Sequence, residues 1–94
     1  MATVVLAVGT TTASSTDASA AAGDRVTIML TSAQAQPPYG ARVRLQFKRT
    51  DNTYTSVYDL QGPDQLTATF LGPVVWRVTR DADYAGAGIG VDKL

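Results

Sequence analysis

The stretch Leu66-Thr67-Ala68-Thr69-Phe70-Leu71-Gly72-Pro73-Val74-Val75-Trp76-Arg77-Val78-Thr79-Arg80 restricts this chain more than any other. Leu66, Ala68 and Phe70 alternate with Thr67 and Thr69, the period-two pattern of a half-buried strand. After Gly72-Pro73, Val74, Trp76 and Val78 share one face while Arg77 and Thr79 take the other. Pro73 stands at a strand start, where its missing N–H costs least. The stretch therefore predicts two consecutive strands turned at Gly72-Pro73. We read them as a hairpin at the centre of a β core, built around the only tryptophan of the chain.

Composition points the same way. The acidic residues are all Asp, which favours turns and caps, and the helix-forming Glu is absent. Thr and Val, which suit pleated surfaces, are frequent. A chain of 94 residues is one domain with one modest core.

Read in order, residues 3–8 form a short β-prone run, either an edge strand or an arm that adds to a neighbouring sheet. Residues 10–22, rich in Thr, Ser and Ala, predict a surface loop or a poorly specified edge strand. Gly23-Asp24 marks a turn. Val26, Ile28 and Leu30 then point inward from a strand over residues 25–31. Residues 41–49 alternate most clearly, with Val43, Leu45 and Phe47 inward and Arg42, Arg44, Gln46 and Lys48 outward. Asp51-Asn52 is the next turn. The strand over 54–60 leaves its face open, since Tyr54/Tyr58 and Thr55/Val57 both qualify. Gln61-Gly62-Pro63-Asp64 is a strong turn, residues 81–88 a polar, Gly-rich connection, and Ile89-Gly90-Val91 a closing strand.

These signals predict an all-β chain: a single immunoglobulin-like antiparallel β-sandwich of 7–8 short strands. Residues 1–22 would be an N-terminal strand or arm and surface segment, and residues 23–94 the sandwich proper. The expected core is Val26, Ile28, Leu30, Val43, Leu45, Phe47, Leu66, Phe70, Val74, Trp76 and Val78.

Several functions are disfavoured. Eight basic and eight acidic residues cancel, without the basic excess usual for nucleic-acid binding. With no Cys and no His, the commonest nucleophile–base pairs and metal ligands are missing, so a hydrolytic enzyme is not expected, nor a cofactor. The apolar run at the N-terminus lacks the positive region of a signal peptide. No run approaches the about 20 apolar residues of a membrane span.

Four features could contact a partner. Arg42, Arg44 and Lys48 share one strand face, which Arg77 and Thr79 extend: a basic docking patch, or an ordinary solvated sheet face. Val4, Val5 and Leu6 could pair with a neighbouring sheet edge. The loop over residues 34–40 carries Tyr39 on a Pro-stiffened backbone, as binding loops often do, or merely connects two strands. Trp76 could stack on a sugar, but its place between Val74 and Val78 assigns it to the core. Asp81 and Asp83 offer a calcium ion only two carboxylates, short of the six to eight oxygens it takes, so no metal is expected.

The run Gly40-Ala41-Arg42-Val43-Arg44-Leu45-Gln46, followed by Leu71-Gly72-Pro73-Val74-Val75-Trp76-Arg77-Val78 and Gly88-Ile89-Gly90-Val91-Asp92, resembles small β-sandwich virion proteins from the head genes of tailed bacteriophages. The likeness is one of strand and turn texture from about Thr10 onward. It implies a capsid cement (decoration) protein, made in the host cytoplasm and carried on the virion surface. Its implied partners are the major capsid protein and neighbouring copies of itself, and its N-terminal segment would reach across capsomers. The alternative is a carbohydrate- or receptor-binding module of a tail or surface protein, which would gather Tyr39, Tyr54, Tyr58 and Tyr84 on one side.

Overall fold

A computed structural model describes residues 3–9, 11–33, 41–62, 64–80 and 88–94. Among them the regular structure is all strand, in the order β1 (Thr3–Gly9), β2 (Ala13–Ser14), β3 (Ala18–Ala20), β4 (Arg25–Ser32), β5 (Arg42–Lys48), β6 (Tyr54–Gln61), β7 (Thr67–Leu71), β8 (Val74–Arg80) and β9 (Ile89–Lys93). They form two antiparallel sheets facing each other as a small sandwich. One runs β1-β9-β4-β7 and the other β2-β8-β5-β6, with β3 also paired to β8. The loop over residues 34–40 and the carboxylate pair Asp81/Asp83 lie outside the described residues.

The alternation read from the sequence places the core. Val26, Ile28 and Leu30 on β4, Val43 and Leu45 on β5, and Trp76 and Val78 on β8 are all buried between the sheets. Phe47, Leu66, Phe70 and Val74 are partly buried against them. Three rings bridge the layers. Phe70 meets Phe47 edge-on at 5.2 Å and Trp76 at 5.3 Å between centroids, the geometry aromatic pairs prefer. The burial also takes in Leu6, Ala20, Ala41, Leu60, Ile89 and Val91. Ile89 and Val91 are core because β9 is an inner strand between β1 and β4.

The stretch 66–80 is not a hairpin. β7 pairs with β4 in one sheet, whereas β8 pairs with β2, β3 and β5 in the other. Gly72 is where the chain changes sheets. Its N–H donates to the Asp24 carbonyl at 2.9 Å, and it bridges Ala22. A Cβ on Gly72 would overlap the Ala21 carbonyl oxygen, so no other residue fits at this crossing. Local alternation cannot distinguish a hairpin from a strand pair split between layers, because both bury alternate residues.

Residues 11–22 are more ordered in pairing than their composition suggests. Ala13 and Ser14 pair with Arg80 and Thr79, and Ala18–Ala20 pair with Trp76, Val75 and Val74. Ser15 fills the gap between them, exchanging bonds with the Val78 backbone at 2.9 and 3.0 Å. At the other end β1 is an edge strand on β9, with Leu6 in the core. Residues 3–9 and 13–20 thus contribute strands to the sheets of the sandwich.

A bulge settles the face of β6. Leu45 pairs with Tyr58 but Gln46 with Ser56, leaving Val57 as the extra residue. The bulge reverses the alternation, so Tyr58 faces inward with Leu45 while Tyr54 faces outward with Lys48. In the turn before β6, Asn52 takes a φ of 67°, a left-handed geometry that Asn tolerates.

Candidate functional site

The outer face of β8-β5-β6 carries the cations singled out above, and the fold does gather them. It does not leave them as a bare basic patch. On β8, Arg77 Nε donates to Gln46 Oε1 at 2.8 Å, and Thr79 Oγ1 donates to the same oxygen at 3.0 Å. Gln46 Nε2 reaches Ser56 Oγ on β6 at 3.3 Å, and Ser14 Oγ meets Thr79 Oγ1 at 3.0 Å. The Arg77 guanidinium also lies 3.5 Å from the centre of the Tyr54 ring, a cation–π stack.

Tyr54 continues the network to the β2–β3 connection. Its hydroxyl donates to Asp17, 2.7 Å from Oδ1 and 2.9 Å from Oδ2. Lys48 Nζ approaches Oδ2 at 3.2 Å. Asp17 was not singled out in the sequence, because nothing local shows that residue 17 will be laid beside residues 48 and 54. Arg44 stands opposite Asp59 in the β5–β6 register, a cross-strand position where opposite charges are favourable. Arg42 is exposed. Lys48 and Arg77 therefore serve the sandwich itself.

The titration of this cluster follows from its bonds. The Tyr54 hydroxyl, with Lys48 and Arg77 nearby, holds the Asp17 carboxyl below its ordinary 3.8. The same bond to Asp17 raises the Tyr54 phenol above its ordinary 10.0. Asp17 is thus ionised and Tyr54 protonated at neutral pH, which suits a fastening and not proton transfer. The stability from Asp17 is present above pH 3.8 and lost as pH falls through its lowered folded value. That from Tyr54 is present below pH 10.0 and lost as pH rises through its raised folded value. Urea midpoints measured across both windows should fall at each end, and Tyr54→Phe should remove the alkaline loss and weaken the acid one. Identical pH profiles for the two proteins would contradict the assignment.

The remaining candidates separate. Leu6 is buried and Val5 packs against the core, whereas Val4 is 66% exposed and Val8 48%. Tyr39 and Tyr84 lie outside the described residues. Tyr54 and Tyr58, on opposite faces of β6, form no shared platform for a sugar. Among the described residues there is no group of three or more potential metal ligands.

One interior residue was missed by the sequence reading. Arg80 is 5% exposed and runs across the sandwich from the end of β8. Its Nη1 donates to the Ala7 and Ile89 carbonyls, each at 2.8 Å, and its Nε to the Thr11 carbonyl at 2.6 Å. Gly9 makes room for the guanidinium, since a Cβ there would stand 2.9 Å from Nη2. Arg80 fastens β1 and β9 of one sheet to β8 of the other.

Compared with protein-family models, curated proteins and solved structures, the chain matches none.

Proposed function

We propose that the protein is a non-enzymatic structural module that binds an assembled protein shell and braces it, the role of a cement protein on a phage head. The observation that supports this reading is the edge strand β1. It is seated on β9 and held by Arg80, yet it leaves Val4 and Val8 exposed at the border of a sheet. Exposed apolar side chains on a fixed strand offer a neighbouring protein a dry contact. Each such contact is small. On a symmetric shell many copies act at once, and the effective concentration of neighbouring sites multiplies weak contacts into stable attachment. The partners in this reading are the major capsid protein and adjacent copies of the module, and its place is the capsid surface.

The test is a binding isotherm on capsids purified without the protein. Val4→Asp with Val8→Asp should lower occupancy at least about tenfold. Both sites are exposed, so stability should stay within about 0.5 kcal/mol of the parent. Undiminished occupancy by the double variant would remove β1 as the contact.

A further inference from the structure

The outer strands of the two sheets are unequally protected against pairing with another chain. β1 carries two register shifts, β2 and β3 are two and three residues long, and β6 is bulged at Val57. Short, irregular or bulged edges resist pairing. β7 has none of these devices. Thr67-Ala68-Thr69-Phe70-Leu71 contains no charge and no proline, and it pairs with β4 without a shift.

The backbone of β7 can be sorted by its bonds to β4. Leu30 N–H donates to the Leu66 carbonyl at 2.7 Å and Gly72 N–H to the Asp24 carbonyl at 2.9 Å. Alternate residues of an antiparallel pair exchange such bonds, so residues 66, 68, 70 and 72 are bonded to β4. The N–H and C=O groups of Thr67, Thr69 and Leu71 therefore point to the open side. Among the described residues β7 has no sheet neighbour there.

Beside that edge the sandwich gapes. A groove of about 430 Å³ separates β7 from β6, bounded by Phe47, Val57, Tyr58, Ala68 and Phe70 and lined by no charged side chain. Val57 and Tyr58 are 45% and 41% exposed.

We propose that β7 is a self-pairing edge: a second copy joins it antiparallel, β7 to β7, about a two-fold axis through Thr69. In that register Thr69 faces Thr69, Thr67 faces Leu71, and the outward N–H and C=O groups of all three meet their counterparts. Ala68 faces the second copy's Phe70. Each Phe70 stays packed against its own Phe47 and Trp76, so the two strands meet through their backbones, with the grooves beside Val57 and Tyr58 next to the joint. An isologous contact must tolerate its own charge, and this edge carries none. The paired surface of one five-residue strand is small beside the about 1,000 Å² of a lasting interface, so the dimer is weak and concentration-dependent.

The chain has no cysteine, which makes disulfide trapping clean. Oxidised Thr69→Cys should form a disulfide dimer. Thr67→Cys and Leu71→Cys should cross-link when mixed and only poorly alone. Thr69→Pro removes an N–H that makes no bond to β4. It should lower the urea midpoint only slightly, through loss of the exposed Thr27–Thr69 hydroxyl bond, and weaken the dimer at least about tenfold in sedimentation equilibrium. Should proline disturb the strand, Thr69→Asp sets like charges face to face with the same expected loss. A parent protein that stays monomeric at millimolar concentration would overturn the proposal and leave the edge to a foreign strand. Equal cross-linking of Thr67→Cys and Thr69→Cys would overturn the register. Purified protein alone is used, so failure here leaves the shell-binding reading intact.

Discussion

Replacing Arg80 by methionine should cost about 3–5 kcal/mol, a large share of the roughly 5–15 kcal/mol that holds a domain of this kind together. Methionine keeps an unbranched stem between the sheets but removes the donors to the Ala7, Ile89 and Thr11 carbonyls. An interior carbonyl left without a donor costs about 1–3 kcal/mol, and the Ala7 and Ile89 carbonyls sit where the two sheets meet. Arg80→Lys should recover only part of the loss, because one ammonium cannot span three acceptors arranged around a planar fork. The loss should also be local at first. In hydrogen exchange the β1 amides should lose protection before those of β5, since β1 depends on β9 and Arg80 while β5 is paired on both sides. A urea-derived loss below about 1 kcal/mol would show that the bonds of Arg80 are not structural.

Trp76→Ala should be at least as damaging. Trp76 is 2% exposed, pairs with Phe47 in the β5–β8 register, and meets Phe70 across the sandwich. Truncation leaves a cavity between two sheets that cannot close on it, because β8 is held by β5 on one side and by β2 and β3 on the other. Large-to-small changes of this type cost about 3–5 kcal/mol. Phe47 and Phe70 lose their packing partner at the same time, so the near-ultraviolet circular dichroism of the folded state should weaken along with the urea midpoint. A loss under about 1.5 kcal/mol would mean that the sheets close over the gap, and that the three rings do not join the layers.

The two results probe features of unequal legibility. The place of Trp76 follows from period two: Trp76 and Val78 alternate with Arg77 and Thr79, and a strand must bury the apolar face. The same rule continues to residue 80 and puts Arg80 inside. A lone arginine in a core is costly until its acceptors are known. Those acceptors are backbone carbonyls of β1, β9 and the residues after β1, and a carbonyl has no residue type to read.

The other gaps share one cause: pairing between distant segments. Gly72 reads as a hairpin turn until Ala21 and Asp24 are brought beside it. Tyr54/Tyr58 and Thr55/Val57 both qualify as the inner face of β6 until Val57 is bulged out against β5. Arg77 and Lys48 read as a docking patch or a solvated face, and their bonds to Asp17, Tyr54 and Gln46 are not visible in the sequence. The strands themselves were legible because alternation is local; what each strand lies beside was not. For the proposed function, the sequence marked Val4, Val5 and Leu6 together. Only the pairing of β1 with β9 separates the exposed Val4 from the buried Leu6.

The most direct test of the shell-binding account is co-sedimentation of the purified protein with capsids that lack it. The account predicts saturation at a fixed ratio to shell subunits, set by the symmetry of the lattice, and loss of that binding in the Val4→Asp/Val8→Asp variant. Absence of saturable binding to any such capsid, with the protein folded and in excess, would contradict it.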